Sequence, residues 1–350
     1  MDARIADTMA RQWGLVTRRQ ALEAGLAPAE IDNHLRRGRW ESVRRGVYAP
    51  RAHLDNLTDR RQHQLLLDRA GSLRVGEPHV MSHHSAALLL GIDTLAEPTP
   101  ITHIGRPGIV GAHVRHGVKH HLAPFGANEV TRVRGIDVLD PARTALDIAR
   151  EHGYQQGLVA ADSALRRGSS VAALHAAARR MRSWPGVTTV RAVIAAASPH
   201  SDSVAETLGR DLVLSLGYGA PQTQFGLTAE GRTAWCDLRL GRHVFEIDGR
   251  QKYRPEDSGQ RQGRTGEEML WDEKLRQDFV SGFKLGISRL TWRDFFAPHR
   301  AAALERCRRE YLDTCHRFGT DVADLARFRP RGPRRRPTPA PPAALPWWTP

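Results

Sequence analysis

The first fifty residues show short helical patterns followed by an extended one. Ile31 and Leu35 repeat at helical spacing behind Pro28, a residue favoured in the first turn of a helix. From Trp40 the pattern changes to alternation of apolar and polar residues with a glycine turn, which is typical of a strand hairpin. Three short helices and a two-stranded wing predict a winged helix-turn-helix domain over 1–58.

A second pattern begins after this segment, and we predict an α/β domain over 59–152. An alanine-rich helical stretch at 85–90 is followed by strand-like runs at 101–104 and 113–118, and Pro141 opens another helix. Short strands between helices predict a mixed layered structure.

The rest of the chain divides by composition. Residues 153–200 are rich in alanine and arginine and predict a helical connector, 201–300 return to strands and helices, and 301–328 predict a C-terminal helix. The tail 329–350 holds too much proline and charge to bury a core, so we expect disorder there. The predicted fold class is therefore α+β and multidomain.

The most informative pattern is an acidic hairpin over 233–249. Residues 241–242 fit a two-residue turn, and counting outward from it places Asp237 opposite Glu246, with Asp248 on the same face. The other face carries an apolar stripe, namely Cys236, Leu238, Leu240, Phe245 and Ile247. Facing like charges destabilise a sheet by up to roughly 1 kcal/mol, and a divalent cation would relieve the repulsion. The pattern predicts a Mg²⁺ or Mn²⁺ site.

An alternative to this metal site is a solvated acidic strand neutralised by Arg239 and Arg250. Glu206, in the first turn of a helix predicted from Val204, could ligate the cation or complete a capping box with Ser203. The helix predicted after the hairpin carries four more charged residues, Glu273, Lys274, Arg276 and Asp278. Lys274 and Asp278 could simply pair on that helix.

The chain has a net charge of +14, with 52 basic and 38 acidic side chains. Each phosphate that Arg or Lys neutralises releases counterions, so this excess favours nucleic acid as a partner. Genomic composition can favour arginine over lysine, but it does not explain the excess of basic over acidic residues. Five arginines at the end of the second motif helix and on the wing are the expected DNA contacts, namely Arg36, Arg37, Arg39, Arg44 and Arg45.

Cysteine and histidine usage suggests little further chemistry. The three cysteines, Cys236, Cys307 and Cys315, have no disulfide or zinc-knuckle spacing. With no apolar leader or membrane-length run, we expect a cytoplasmic protein without a membrane partner. Histidines of the second domain cluster at His83, His84, His113, His116, His120 and His121. Acidic partners and helical spacing are not evident, so we interpret them as scattered surface residues rather than a metal site.

Four motifs carry a resemblance to a known family. They are Gly-Leu-Val-Thr-Arg-Arg-Gln-Ala-Leu-Glu-Ala-Gly-Leu from Gly14, Leu-Arg-Arg-Gly-Arg-Trp-Glu-Ser-Val-Arg-Arg-Gly-Val-Tyr from Leu35, Ser-His-His-Ser-Ala-Ala from Ser82 and Pro-Ala-Arg-Thr-Ala-Leu-Asp from Pro141. In these motifs the first 150 residues resemble AbiEi-type antitoxins and transcriptional regulators. The resemblance implies operator binding by the winged helix, and a cognate toxin or a second copy of the chain as partner.

A second resemblance covers 203–295, which is similar to very-short-patch-repair-like endonucleases of the PD-(D/E)XK superfamily. Glu206 matches the early helical acid, Asp237 the first strand acid, and Glu246 with Asp248 the Glu-x-Asp-Gly motif. The Glu-Lys-x-Arg-x-Asp segment is matched by Glu273, Lys274, Arg276 and Asp278. The superfamily implies a mixed sheet flanked by helices, and Mg²⁺ held by Asp237 and Glu246 that polarises the phosphate and activates water.

Two departures from the superfamily pattern bear on activity. Asp248 stands where the superfamily places its catalytic lysine, and Lys252 could reach back instead or be an ordinary loop lysine. The histidine that many relatives carry after the Asp-Gly pair is absent. Two functions follow. One is a DNA-targeted, metal-dependent endonuclease in a phage-defence or toxin–antitoxin setting. The other is a non-enzymatic antitoxin-like repressor with an inactive nuclease fold.

Overall fold

The computed structural model describes residues 3–97, 101–122, 124–248, 266–332 and 334, without the side chains of 266–270 and 273. The chain divides into two compact units, Met1–Ala197 and Ser198–Thr338. Lys252, Arg250 and the tail 335–350 lie outside the described residues, so their predicted roles stay predictions.

The first unit begins with three helices and a small antiparallel sheet. The elements are α1 (Ala3–Arg11), β1 (Val16–Thr17), α2 (Arg18–Glu23), α3 (Pro28–Arg36), β2 (Trp40–Arg44) and β3 (Val47–Pro50), with strand order β1-β3-β2. Thr17 caps α2, since its hydroxyl accepts the Gln20 amide at 3.2 Å. Pro28 begins α3, where the missing amide hydrogen costs no helical bond.

A small core joins these elements. Ile5 of α1, Ile31 of α3 and Trp40 of β2 are nearly fully buried together. His34 stacks on Trp40 with ring centroids 4.7 Å apart. One side of α3 is thus held against the hairpin, while Arg36 in its last turn is exposed.

Two further helices lead into a six-stranded mixed sheet. The helices are α4 (Arg51–Asp55) and α5 (Arg60–Arg74), and the strands are β4 (Val80–Met81), β5 (Thr102–Gly105), β6 (His113–Arg115), β7 (Val118–His121), β8 (Val130–Val133) and β9 (Ile136–Leu139). The strand order is β6-β7-β5-β4-β9-β8, with β4 parallel to β9 and β5 parallel to β7. Helix α6 (His83–Leu90) shares the buried core of this sheet through Ala86 and Leu89.

An alanine-rich helical layer completes the first unit. It consists of α7 (Pro141–His152), α8 (Tyr154–Arg166), α9 (Val171–Arg180) and α10 (Val187–Ala196), so the segment predicted as a connector is helical and shares one core with α7. A side chain at Gly157 would collide with Ala149, which explains how closely α8 approaches α7. Arg143 is fully buried, and it pairs with Asp147 at 2.9 Å and Glu129 at 3.2 Å.

The second unit has one four-stranded sheet. Its elements are α11 (Val204–Leu214), β10 (Gln222–Ala229), β11 (Arg232–Leu240), β12 (His243–Asp248), α12 (Gly266–Ser281), β13 (Gly286–Thr291) and α13 (His299–Phe318). Strands β10, β11 and β12 form an antiparallel meander, and β13 lies parallel to β12.

Helices cover both faces of this sheet. One residue of the predicted apolar stripe, Cys236, lies on the opposite face from the one we predicted. Ile247 and Leu238 lie against Gly209 of α11. Cys236 instead packs with Val244 in the core that includes Val280 of α12. The expectation that Cys236 shares a face with Leu238 is therefore wrong, because strict alternation breaks between the two residues.

Candidate functional site

Four of the five arginines predicted to contact DNA are exposed: Arg36, Arg37, Arg39 and Arg45. They follow one another from the last turn of α3, through the segment before β2, to the turn between β2 and β3. Guanidinium groups beside a helix end and a hairpin turn are suited to phosphate contacts. We call these four residues the arginine surface.

Arg44 has a different role. Its guanidinium donates to the carbonyl oxygens of Leu67 at 2.9 Å and His116 at 3.0 Å, and to the hydroxyl of Thr102 at 2.7 Å. Burial lowers the pKa of Arg44. The prediction of Arg44 as a DNA contact is corrected, since these bonds fix the hairpin to α5 and the six-stranded sheet.

Glu206 lies in the first turn of α11, and its carboxylate accepts three hydrogen bonds. It accepts the backbone amide of Asp202 at 2.9 Å, the hydroxyl of Ser203 at 3.3 Å and the side-chain amide of Gln224 at 2.7 Å. Half of the predicted capping box is present, because the hydroxyl of Ser203 accepts the Glu206 amide at 3.2 Å, while the Glu206 carboxylate bonds to the amide one residue before the cap. Burial raises the pKa of Glu206, and the negative charge of Asp237 raises it further.

Asp237 lies where regular pairing of the acidic hairpin ends. The two-residue turn at 241–242 is present, and the ladder between β11 and β12 runs from it to Leu238. At the next position the carboxylate of Asp237 accepts the backbone amide of Ile247 at 2.9 Å. The side chain of Asp237 thus bonds to the strand that carries Glu246.

Glu246 forms an ion pair with an arginine side chain. It accepts Arg276 of α12 at 2.8 Å, and the same nitrogen of Arg276 donates to the carbonyl oxygen of Trp235 at 2.7 Å. Burial raises the pKa of Glu246, Arg276 opposes this rise, and Asp237 adds to it. Glu246 is therefore neutralised by Arg276, which neither the metal site nor its alternative predicted.

Arg239 is engaged elsewhere, and the remaining predicted residues that the structure describes are exposed. Arg239 packs over the ring of Phe225 at 4.5 Å and bonds to Gln222. Asp248 is exposed at the end of β12. Lys274 and Asp278 are exposed on α12, with the ammonium of Lys274 5.7 Å from the ring centre of Trp271. The side chain of Glu273 and all of Lys252 lie outside the described residues.

Among the described residues, the groups of three or more His, Cys, Asp and Glu side chains that are close enough to share a metal ion lie in the first unit, and the acidic hairpin does not form such a group. One group is His84, Glu97, His103 and His152, and the other is His83, His103 and His121. His83, His103 and His121 are at most 2% exposed. The interpretation of the histidines as scattered surface residues is therefore wrong for His83, His84, His120 and His121, and right for the exposed His113 and His116.

Sequence reasoning missed three members of these two groups, Glu97, His103 and His152. It also missed Glu151, which lies 3.0 Å from His121. A usable signal was the Glu151-His152 pair at the end of α7, a helix that packs against α6. Burial lowers the pKa of His84 to about 4 and also lowers the pKa of His152. Both imidazoles are therefore neutral near pH 7.

Comparisons with known proteins agree with the regulator resemblance at the amino terminus. Residues 4–51 match the family model described as transcriptional regulator, AbiEi antitoxin. Two Mycobacterium tuberculosis proteins, uncharacterized protein MT2308 of strain CDC 1551 / Oshkosh and uncharacterized protein Rv2248 of strain ATCC 25618 / H37Rv, are each 27% identical over 233 residues, which is 63% of this chain and 78% of the relative.

One solved structure is similar at a lower level. The crystal structure of RV2827C protein from Mycobacterium tuberculosis covers 56% of this chain and 81% of that chain, with 18% identity and a TM-score of 0.31. A likeness this weak carries no argument about fold. In the part of the chain that the structure describes, no helix is both long and apolar enough to span a membrane.

Proposed function

We propose that this protein is a DNA-binding transcriptional regulator whose segment 3–50 acts as a winged helix-turn-helix. The observation that carries the proposal is that the family match and the exposed arginines fall on the same segment. The segment matching the regulator family, 4–51, is the one that carries the arginine surface beside α3 and the hairpin turn. In such a domain α3 would enter the major groove and the hairpin would lie on the phosphates. The net charge of +14 supports a polyanionic partner.

The acidic residues of α3 do not oppose this docking. Glu30 accepts the backbone amide of Ala27 at 2.7 Å, and Asp32 pairs with Arg18 at 3.1 Å. Their charges are thus partly neutralised within the domain. The arginine surface adds four exposed positive charges to the same segment.

The experiment compares two variants of the full chain with equal loss of charge. One replaces Arg36, Arg37, Arg39 and Arg45 by Ala, and the control replaces four other exposed arginines of the first unit, Arg115, Arg179, Arg182 and Arg191, by Ala. Fluorescence anisotropy with duplex DNA should show about 100-fold weaker binding for the first variant, or about 0.7 kcal/mol per arginine. Equal losses in both variants would refute the proposed surface.

The matching family also motivates a proposal about protein partners. Because the family description names an antitoxin, we propose that the chain binds a cognate toxin or a second copy of itself. Native mass spectrometry of the full chain, alone and with the product of an adjacent gene, tests this. A monomer in both samples would refute it.

The acidic hairpin favours a second candidate function, metal-dependent phosphodiester hydrolysis by a PD-(D/E)XK-type second unit. The supporting observation is that Asp237 accepts the backbone amide of Ile247, the residue next to Glu246, at 2.9 Å, and its charge adds to the raised pKa of both Glu206 and Glu246. Three carboxylates therefore share one neighbourhood, and their hard oxygens suit Mg²⁺ or Mn²⁺. When bound, the ion would polarise a phosphate and activate water. Asp237 and Glu246 would hold it, with Arg276 displaced from Glu246.

A cleavage assay with duplex DNA and Mg²⁺ or Mn²⁺ tests this second function. Asp237→Asn should remove cleavage with the fold intact, while the exposed control Asp313→Asn should retain it. Cleavage that survives in Asp237→Asn would refute the site. Wild-type protein that cuts nothing with either ion would support the non-enzymatic regulator instead.

A further inference from the structure

Three histidines and one glutamate converge on one point in the first unit. The Oε1 atom of Glu97 lies 3.0 Å from Nε2 of His103, 3.3 Å from Nδ1 of His84 and 3.9 Å from Nε2 of His152. The four side chains each bring a ligand atom within 4.8 Å of all the others. We propose that His84, Glu97, His103 and His152 bind one Zn²⁺ ion.

The spacing of these atoms fits tetrahedral zinc. Bonds of about 2.0–2.1 Å from Zn²⁺ to nitrogen or oxygen place neighbouring ligand atoms of a tetrahedron about 3.4 Å apart. The separations of 3.0, 3.3 and 3.9 Å from the oxygen of Glu97 lie around that value. Three imidazoles and a carboxylate are also ligands that Zn²⁺ prefers, whereas Mg²⁺ and Ca²⁺ take more oxygen atoms.

Unpartnered ring nitrogens point to a ligand that protein groups do not supply. Nδ1 of His84 and Nε2 of His152 are buried and make no hydrogen bond. The side chain of His84 is 10% exposed. Leaving a buried polar atom unpartnered costs about 1–3 kcal/mol. One cation among the four side chains would bond both nitrogens at once.

A second set of residues orients His103 toward this point. Nδ1 of His103 lies 2.9 Å from Nε2 of His121, and Nδ1 of His121 lies 3.0 Å from Glu151. Lys119 in turn pairs with Glu151. A hydrogen bond to one ring nitrogen fixes the ring so that the other nitrogen faces the metal. His121 and Glu151 therefore form the outer layer of the same site.

The placement of the four ligands suggests a structural role for the ion. His84 belongs to α6, Glu97 to the segment after it, His103 to β5 and His152 to the end of α7. Four protein ligands complete the tetrahedral coordination of a zinc ion and leave no open position for a substrate. The ion would therefore tie together elements that are distant in sequence.

The test is metal binding by the full chain after dialysis against a chelator. Titration with Zn²⁺ alone should show one equivalent, and Co²⁺ in its place should give the absorption of a tetrahedral ion. The double variant His84→Ala/His152→Ala should lose this binding. The control variant His113→Ala/His175→Ala removes two exposed histidines of the same unit and should keep it.

Glu97→Gln covers the case in which the double variant does not fold. It preserves shape, and circular dichroism checks its fold. Its Zn²⁺ affinity should fall by more than the roughly 10-fold to 100-fold that loss of an outer-shell partner costs, because Glu97 is itself a ligand. Wild-type protein that binds no Zn²⁺, an octahedral Co²⁺ spectrum, or a Glu97→Gln variant with wild-type affinity would each overturn the proposal.

Discussion

The two units hold polar clusters of opposite character. In the first unit, buried histidine nitrogens without hydrogen bonds surround Glu97. In the second unit, Glu206 accepts three protein donors and Glu246 is paired with Arg276. In the histidine cluster an ion would replace one contact, the hydrogen bond between His103 and Glu97, whereas in the acidic hairpin it must displace the cation Arg276 from Glu246.

This difference shows that the hydrogen-bond partners of a side chain indicate a metal site better than its charge does. Acidic residues at alternating positions are visible in the sequence, and they drew our prediction of a metal site. A hydrogen bond to a charged group contributes about 1.5–3 kcal/mol. Displacing Arg276 from Glu246 therefore lowers the affinity of the acidic hairpin for an ion by that amount. We therefore expect Zn²⁺ to bind the first unit strongly and Mg²⁺ to bind the second weakly.

The largest expected effect is that of zinc removal on the first unit. At free Zn²⁺ of 1,000 times Kd, binding stabilises the unit by about 4 kcal/mol, which raises its Tm by about 8–16 °C. Calorimetry with and without a chelator should show this shift in one transition only. A shift shared by both units, or none, would contradict the contrast drawn between the clusters.

Arg276→Met should lower the stability of the second unit. Glu246 loses its partner, at a cost of about 1.5 kcal/mol, since the side chain of Arg276 is 31% exposed and partly screened. Mg²⁺ should then restore more stability than it gives the wild type, because it displaces nothing. The exposed control Arg293→Met should show neither change in urea unfolding. Mg²⁺ without effect on the variant would argue against an ion between the carboxylates.

Asp237→Asn should leave the second unit as stable or more stable by up to about 1 kcal/mol. Repulsion from Glu206 and Glu246 is relieved, while the amide oxygen of Asn still accepts the Ile247 amide. Thermal unfolding with and without Mg²⁺ measures this. A clear loss of stability would mean that the charge of Asp237 has a structural partner instead.

The smallest effect concerns the pKa values of Glu206 and Glu246, both raised above 4.5 in the folded chain. Such groups bind protons that the unfolded chain releases, so their contribution to stability falls as pH rises from 4.5 through the folded pKa. Asp237→Asn should lower both pKa values and flatten this slope. Carbon-detected NMR titration measures these pKa values. Unchanged values in the variant would show that Asp237 does not interact electrostatically with the other two carboxylates.

Local signals predicted the individual elements well. The Thr17 cap, Pro28 at the start of α3 and the turn at 241–242 are all present, because each depends on residues within a few positions. The exception is Cys236, since the bond from Asp237 to the neighbouring strand replaces regular pairing there. Alternation cannot anticipate a side chain that takes the place of a backbone partner.

The histidine cluster was missed because its ligands are distant in sequence. The parallel register of β5 and β7 places His103 and His121 on one face of the sheet, and α7 brings His152 beside them. Glu97, the acid that joins them, lies in a segment with no pattern of its own. Arg44 was misassigned for a similar reason, since its partners lie 23 to 72 residues away.

The salt dependence of DNA binding tests the central claim most directly. Each phosphate contact contributes about 0.9 to the slope of log K against log salt concentration. Replacing the arginine surface, Arg36, Arg37, Arg39 and Arg45, by Ala should reduce that slope by up to about 3.6, while the control variant at Arg115, Arg179, Arg182 and Arg191 should keep the wild-type slope. An unchanged slope in the first variant, or an equal reduction in both, would contradict binding through this surface.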